Sequence, residues 1–218
     1  MRRLLAIFII LTALIPARSQ APIRFSVHLD PQFAWFSSDA KSAEPNGSIF
    51  HIQAGLQMDY FFAENYAFAL GVTINNLGGN LLYTDSTEFS SKGEPVQVVP
   101  GQSVKQNLQY IDFPVGLKLK TEELGYATFF FQVGFNPMIN INAKGTSDAA
   151  SMDKDDIREN IHLFCLGYHA GAGVEYKLGG NTALIGGIRW TSGLTDVTDN
   201  DRADVKLNAI SVHLGVLF

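Results

Sequence analysis

The sequence predicts an all-β protein: an eight-stranded antiparallel up-and-down transmembrane β-barrel with short periplasmic turns and long outer loops. Eight segments alternate hydrophobic residues with polar or small ones, which is the period of a strand with two different faces. The connections are alternately long and short, as expected when one barrel end carries tight turns and the other carries extended loops. Hydrophobic residues make up 46% of the chain, yet mean hydropathy is only +0.08, which favours two-faced strands over apolar helices.

Each strand is predicted from a run of alternation that ends at polar or turn-forming residues. In the second run, for example, Phe50, Ile52 and Ala54 oppose His51 and Gln53. The predicted strands are residues 23–36, 49–62, 66–83, 105–121, 125–142, 160–178, 182–193 and 206–218. The tight turns fall at 63–65, 122–124 and 179–181, and the loops at 37–48, 84–104, 143–159 and 194–205. The third loop has room for one short helical turn.

Proline and glycine mark irregular points within these strands. Pro31 in the first strand indicates a bulge or the exposed end of the barrel seam. Gly78-Gly79 in the third strand indicates a bend or bulge. Pro114 in the fourth strand cannot donate to the ladder, so we expect a bulge or kink there that aims Asp112 into the lumen.

The last strand ends the sequence on an aromatic residue. Ile210, Val212, Leu214 and Val216 lie on one face with Phe218. A strand that closes a barrel against the first strand and faces lipid has a physical reason to end in this way. We therefore predict that Phe218 belongs to the closing strand and serves as a sorting signal.

The N-terminus reads as a secretory signal peptide. Two arginines after Met1 are followed by a short apolar run from Leu4 to Ile15, and Ala17 and Ser19 are small residues at the cleavage positions. We predict that residues 1–19 are removed and that residues 20–218 form the barrel domain. The alternative is a short membrane anchor. The single cysteine, Cys165, excludes an intrachain disulfide.

Alternation alone does not decide which face points inward. A soluble lipocalin-like barrel that binds small apolar ligands would place the apolar face inside. Three features favour a membrane barrel, with the apolar face outward and a location in the cell outer membrane. The polar face is rich in glycine, which suits the crowded interior of eight strands, and it carries charges of both signs. Aromatic residues gather near strand ends on the apolar face, as in interfacial girdles: Trp35, Tyr60, Phe62, Tyr176, Trp190 and Phe218.

One strand carries a family resemblance. The segment 110–118, Tyr-Ile-Asp-Phe-Pro-Val-Gly-Leu-Lys, resembles a strand of the PorT-like family of small bacterial outer-membrane barrels, also called the outer membrane protein β-barrel domain family. The Gly-rich segment 171–176, the Arg189-Trp190 pair and the C-terminal residues are similar as well. The resemblance covers the mature chain and implies an eight-stranded outer-membrane barrel. The family's named member serves type IX protein secretion, which makes a link to that secretion one implied role.

Several polar side chains are predicted to share the lumen. His28, His51, His169 and His213 fall on the inner face, and His28 and His213 lie on the two strands that close the barrel. A metal site or a proton relay is one hypothesis for them, and structural packing of polar groups is the favoured one. We therefore expect no metal, cofactor or catalytic residue. The predicted lumen network, in which Lys118, Lys120 or Arg189 neutralises Asp112, comprises Asp112, Lys118, Lys120, Glu175, Arg189, His28, His169 and His213.

The remaining functional alternatives follow from the barrel. Ser211 and His213 share a face but lack the surroundings of a nucleophilic site, so we expect no enzyme. Eight strands leave no aqueous pore, and a net charge of -5 does not suggest nucleic-acid binding. Expected partners are outer-membrane lipid, the barrel-assembly machinery and other envelope or secretion proteins. The first hypothesis is a structural or assembly barrel whose loops or periplasmic turns bind partner proteins, including secretion machinery. The second hypothesis is a ligand-binding or surface-recognition barrel that acts through loop 84–104, which exposed apolar side chains at Phe89, Val96, Val98 and Val99 would favour.

Overall fold

The computed structural model describes residues 23–39, 42–91, 93–199 and 204–218. The predicted signal peptide, residues 1–19, lies outside this part of the chain. Within it, no helix has both the length and the apolar character needed to cross a membrane. The strands are β1 (Ile23–Ser38), β2 (Ala43–Pro45), β3 (Ile49–Ala63), β4 (Tyr66–Tyr83), β5 (Thr87–Ser91), β6 (Glu94–Val98), β7 (Gln102–Asp112), β8 (Val115–Lys120), β9 (Ala127–Ser147), β10 (Met152–Asp156), β11 (Phe164–Gly179), β12 (Thr182–Gly193) and β13 (Val205–Leu217).

The long strands form a closed ring of antiparallel pairs. The order around the ring is β1, β3, β4, β7 with β8, β9, β11, β12 and β13, and β13 pairs again with β1. Counting β7 and β8 as one broken strand, the described chain forms the eight-stranded up-and-down barrel that the sequence predicts. Backbone bonds between Phe25 and Phe218 continue the closing pair to the last residue, with N···O distances of 3.1 and 2.8 Å.

The break between β7 and β8 lies at Phe113 and Pro114, where the sequence predicts a bulge or kink. The register with β4 is the same before and after the break, and so is the register with β9. No extra residue is therefore inserted. The carbonyl of Pro114 still accepts from Gly71 N at 2.9 Å. The register shift of this strand lies between Gln109 and Tyr110 instead. Of the two predicted alternatives at Pro114, the bulge is therefore wrong, because the missing N–H interrupts the ladder without displacing it, and the kink stays a prediction.

The outer wall carries a continuous belt of exposed apolar side chains. Every long strand contributes alternate residues to it, for example Phe68, Leu70, Val72 and Ile74 on β4. Of the predicted girdle residues Trp35 is half-buried, and the others are exposed: Tyr60, Phe62, Tyr176, Trp190 and Phe218. Phe62 packs on Phe68 with ring centroids 4.7 Å apart. This is the surface that a barrel presents to lipid hydrocarbon and its two interfaces.

The outer end is more regular than the sequence predicts. Loop 84–104 contains the hairpin of β5 and β6, and loop 37–48 contains β2. Strand β9 continues five residues beyond its predicted end at 142, and this extension pairs with β10. A 3-10 turn at Arg158–Asn160 is the one helical element of the described residues. The outer connections are thus short strands and turns that pack over the barrel mouth.

The inner face divides into two regions. The polar lumen lies where the apolar belt surrounds the wall, and it comprises His28, Asp30, Gln32, Gln53, Gln57, Asp59, Asn75, Asp112, Lys118, Gln132, Asn136, His169, Glu175, Arg189, Ser211 and His213. The outer core lies above it, and it comprises Ala34, Phe36, Ala43, Leu77, Leu81, Tyr83, Val98, Val104, Leu108, Tyr110, Met138, Ala143, Met152, Ile157, Ile161, Cys165, Val197, Val205, Leu207 and Ala209. Below the lumen, a small apolar cluster forms at Phe130, Ala183, Ile185 and Leu217.

Candidate functional site

The periplasmic side of the polar lumen holds a cluster of ion pairs. Lys118 Nζ lies 2.6 Å from Asp59 Oδ2 and 2.7 Å from Glu175 Oε1. Lys120 binds the other oxygen of Glu175, and Arg24 Nη1 lies 3.7 Å from that oxygen. The four strands β1, β3, β8 and β11 bring these groups together from across the barrel. Because both carboxylates are almost fully buried, each needs its ammonium partner to be stable there.

Neighbouring groups complete this cluster. Gln57 Nε2 donates to Asp59 Oδ1 at 2.8 Å, and the Lys118 ammonium lies 4.8 Å from the centroid of the Phe130 ring. The Lys118 side chain is therefore enclosed by two carboxylates and an aromatic face, which favours the charged form of a buried ammonium.

A second cluster is centred on Asp30. The Nδ1 atoms of His28 and His213 lie 3.0 and 2.9 Å from Asp30 Oδ2, and the two imidazole centroids are 5.0 Å apart. An ionised carboxylate only accepts hydrogen bonds, so both rings donate through Nδ1–H. Gln53 Nε2 donates to the same oxygen at 2.8 Å, and Arg189 Nη1 lies 4.0 Å away. The sequence placed His28 and His213 on the strands that close the barrel, and they meet through Asp30.

The Asp30 carboxylate also takes part in the barrel seam. The ladder between β1 and β13 is interrupted at residues 29–31, although its register is the same before and after. Pro31 has no N–H to contribute at this point. In the gap, Leu214 N donates to Asp30 Oδ1 at 3.2 Å. A side-chain carboxylate thus replaces a backbone acceptor where proline opens the seam.

His28, Asp30 and His213 form a candidate metal-binding group. One ligand atom from each lies within 4.8 Å of the others, and all three residues are buried. However, the carboxylate already accepts from two imidazoles, Gln53 and a backbone amide, and a guanidinium lies close by. A bound cation would have to displace these donors, and the positive charge of Arg189 would repel it. The arrangement is complete as a hydrogen-bonded network of protein groups.

The predicted neutralisation of Asp112 by Lys118 or Lys120 is wrong. Asp112 is buried and points into the lumen as expected, but its Oδ2 accepts from Asn75 Nδ2 at 2.7 Å. Lys118 lies six residues further along the same barrel strand, a rise of about 20 Å. Arg189, the third predicted partner, has Asp30 as its nearer carboxylate, and its charge also acts on Asp112.

The other two lumen histidines are separate from the Asp30 cluster. His169 Nδ1 lies 2.5 Å from Asn136 Oδ1, and its Nε2 lies 3.3 Å from Gln132 Nε2. His51 is only half-buried and lines a cleft at the outer edge of the wall. Glycines make room for the rings: a Cβ at Gly55 would lie 2.9 Å from His28 Nε2, and one at Gly134 would lie 2.9 Å from His169 Cε1. The lumen is therefore filled by side chains.

Ser211 and His213 do not form a hydrogen-bonded pair within the described residues. Ser211 Oγ donates to the Arg189 carbonyl at 3.4 Å, and His213 Nδ1 is turned toward Asp30. A nucleophilic mechanism needs a base bound to the hydroxyl, and the geometry does not bring those two atoms together. The absence of catalysis stays a prediction.

The two ends of the barrel differ in access. At the periplasmic end, a cavity of about 350 Å³ opens between residues that include Arg24, Glu175 and Phe218. At the outer end, Val98 is fully buried in the outer core and Val96 packs against it, while Val99 is exposed. The side chain of Phe89 lies outside the described part of the structure. The described part of loop 84–104 therefore turns Val96 and Val98 inward, and the exposed Val99 does not form an apolar cluster with them.

The sequence predicts Asp30 on the charged inner face, but it predicts neither the contact of Asp30 with His28 and His213 nor the outer core. The signal for Asp30 was its place on the inner face two residues after His28 and directly before Pro31. The signal for the outer core was a change of phase in β4, where apolar residues move from even positions up to Ile74 to odd positions from Leu77.

The closed ring, lipid-facing belt and filled lumen define an integral outer-membrane β-barrel protein. Residues 18–199 match the family described as outer membrane protein beta-barrel domain, and the chain belongs to this family. The match does not distinguish a PorT-like group within it. No curated protein matches the chain.

Solved structures of small outer-membrane barrels are similar to this chain at low identity. Neisserial surface protein A is 15% identical over 88% of this chain and 95% of its own, with a TM-score of 0.47. The attachment invasion locus protein Ail of Yersinia pestis is 13% identical over 91% of this chain and 100% of its own, with a TM-score of 0.45. OprG of Pseudomonas aeruginosa is 12% identical over 89% and 95%, with a TM-score of 0.43.

Proposed function

We propose that this protein is a closed, non-conducting and non-catalytic barrel that holds partner proteins of the cell envelope at the outer membrane. The observation that carries the proposal is the filled interior. Ion pairs occupy the periplasmic side, the Asp30 cluster occupies the middle, and the outer core and the β5–β6 hairpin cover the outer end. A protein with no passage through its lumen acts through its surfaces.

The polar lumen has a structural role in this proposal. Its charged groups fix the register of the strands that carry them, because any slip by one residue would turn each charge toward lipid. The seam between β1 and β13 depends on it most, since Asp30 binds backbone and side-chain donors of β13. The network thus serves the assembly and stability of a rigid anchor.

Two surfaces are available for partners. The periplasmic turns carry exposed apolar side chains at Leu124, Tyr126 and Leu178. The outer surface is polar over the 3-10 turn and β10, with Arg158 and Asp156 exposed. A periplasmic partner fits an assembly or secretion role, including the type IX secretion that the resemblance implies, and an outer partner fits surface recognition.

The first test is ion conductance of the folded protein in planar lipid bilayers. We expect no stepwise current over a range of voltages, measured beside a known porin as a positive control. A reproducible unitary conductance from the wild-type barrel would contradict the proposal, because the filled interior would then have to open.

The second test locates the partner. A photo-crosslinking residue replaces Glu123 or Asn181 at the periplasmic end, or Glu94 or Asp153 at the outer end, in living cells. Crosslinks from the periplasmic positions alone, together with altered secretion in a deletion strain, would support the assembly or secretion role. Crosslinks from the outer positions alone would support recognition at the surface. The absence of specific crosslinks from all four positions would contradict a partner-binding function.

A further inference from the structure

A cleft interrupts the barrel wall at the outer rim of the apolar belt. The ladder between β3 and β4 ends at the pair Gln53 and Asn75. On that edge of β4 the next strand pairing is with β2 at residues 81–83, while β7 pairs with the opposite edge throughout. Asn76 Nδ2 spans the gap by donating to the Ile52 carbonyl at 2.8 Å. The cleft has a volume of about 370 Å³, and its lining includes Phe50, Ile52, Asn76, Gln109, Asn142 and Lys144.

The lower edge of this cleft lies in the lipid-facing belt. Phe50 and Ile52 are exposed on β3, Ile74 is exposed on β4 and Ile141 is exposed on β9. Directly above them the outward positions become polar. Asn76, Gln109 and Asn142 stand side by side across three neighbouring strands, and Gln109 Nε2 donates to Asn76 Oδ1 at 3.0 Å. This change from apolar to amide side chains marks the height at which lipid headgroups begin.

Two exposed lysines stand above the amides. Lys144 pairs across the ladder with Asn107, and Lys105 lies two residues further out on β7. Neither lysine forms an ion pair with any residue of the described ranges. Asp156 is the ladder partner of Lys144, but its carboxylate is bound by Arg158 at 2.7 Å; the hydrogen bonds from Arg158 and, less strongly, the charge of Lys144 lower the pKa of Asp156. The two ammonium groups therefore remain available to an anion from the membrane.

We propose that this cleft binds the phosphorylated headgroup of an outer-leaflet glycolipid, the lipopolysaccharide of the outer membrane. Lys105 and Lys144 bind the phosphate groups, the amides of Asn76, Gln109 and Asn142 bind sugar hydroxyls, and an acyl chain packs on Phe50 and Ile52. The chemistry at each height of the cleft matches the lipid at that height, with cations where phosphate lies and apolar side chains where hydrocarbon begins. The inference is independent of the partner-binding function proposed above.

The test measures binding of bisphosphorylated lipid A to the refolded barrel in phosphatidylcholine nanodiscs. The double variant Lys105→Gln with Lys144→Gln is expected to bind about tenfold more weakly or worse, because both cations near the anionic lipid are lost. The matched control is Lys177→Gln, which removes an exposed lysine at the periplasmic end and is expected to leave lipid A binding unchanged. Dephosphorylated lipid A is expected to bind the wild type as weakly as intact lipid A binds the double variant.

Three outcomes would overturn the proposal. The first is that the double variant binds intact lipid A as tightly as the wild type does. The second is that the wild type binds dephosphorylated lipid A as tightly as it binds intact lipid A. Equal binding of phosphatidylglycerol would also overturn it, because any anionic lipid would then suffice. All three positions are solvent-exposed, and the heat-dependent gel mobility of each variant verifies that its barrel is closed.

Discussion

The polar lumen and the outer core lie on the inner faces of the same strands, but their side chains are of opposite character. On β4 the inward residues Thr73 and Asn75 are followed two positions later by Leu77 and then by Leu81. The outward residues change in the reverse sense, from the exposed Ile74 to Asn76. The inner face therefore changes from polar to apolar at the height where the outer face changes from apolar to polar.

The environment outside the wall explains this difference. Within the membrane, lipid hydrocarbon contacts the apolar side chains on the outer face of the wall. Burial inside the barrel therefore gives apolar side chains no advantage over contact with lipid. Polar groups can then fill the interior, provided that they bind one another. Above the membrane the wall is surrounded by water, and the hydrophobic effect again drives apolar side chains inward. The protein is thus a membrane barrel below the rim and resembles a soluble β-protein above it.

The largest expected effect comes from removing a charge from the polar lumen. Lys118→Met should lower the free energy of unfolding by about 3–5 kcal/mol, because Asp59 and Glu175 would be left buried without their shared cation. Urea unfolding in lipid vesicles, followed by tryptophan fluorescence, measures the change.

Lys120→Met is the matched control for this substitution. Lys120 binds Glu175 alone and is partly reached by solvent, so its loss should destabilise the barrel less. Equal and small effects of the two substitutions would contradict the view that the lumen requires paired charges.

The next largest effect comes from a pair of arginine substitutions that test where the membrane ends on the outer wall. Leu214 and Leu82 both point outward, but Leu214 lies in the exposed apolar belt and Leu82 lies above it beside Glu44 of β2. Leu214→Arg should cost about 2–4 kcal/mol, because it places a charge near the middle of the bilayer. Leu82→Arg should change stability by less than about 0.5 kcal/mol, because its side chain meets water.

The same vesicle unfolding experiment measures both arginine variants. A cost for Leu82→Arg that equals the cost for Leu214→Arg would place β4 in lipid up to its end. The outer core would then lie within the membrane, and the explanation given for its composition would fail.

Much of the barrel could be predicted from the sequence because the relevant signals are local. A period of two reports which residues share a face, and turn residues report where a strand ends. These signals correctly predicted eight strands, their antiparallel order and the pairing of the last strand with the first. They also placed Asp112, Lys118 and Glu175 inside the barrel.

The wrong predictions concern properties that the alternation of apolar and polar residues does not report. Partners in the lumen depend on height along the barrel axis, and Asp112 and Lys118 share a face but are separated by about 20 Å. The outer core depends on where the bilayer ends, which no single strand reports. The effect of Pro114 depended on whether β4 and β9 held the register on both sides, and that is a property of three strands together.

The smallest expected effect lies in the outer core, where one buried hydrogen bond joins two strands. Gln106 Nε2 donates to Tyr83 Oη at 3.2 Å, and both side chains are buried among apolar neighbours. Tyr83→Phe should lower the free energy of unfolding by about 1 kcal/mol, because the amide loses its acceptor and water does not replace it.

Tyr126→Phe is the control, because Tyr126 is exposed at the periplasmic end, and it should change stability by less than about 0.5 kcal/mol. Hydrogen exchange of the backbone N–H groups at positions 83 and 106 should also be faster in Tyr83→Phe if this region opens separately from the polar lumen. Unchanged stability and exchange would mean that water reaches the Gln106 amide, and the outer core could not then be a water-excluding core like that of a soluble β-protein.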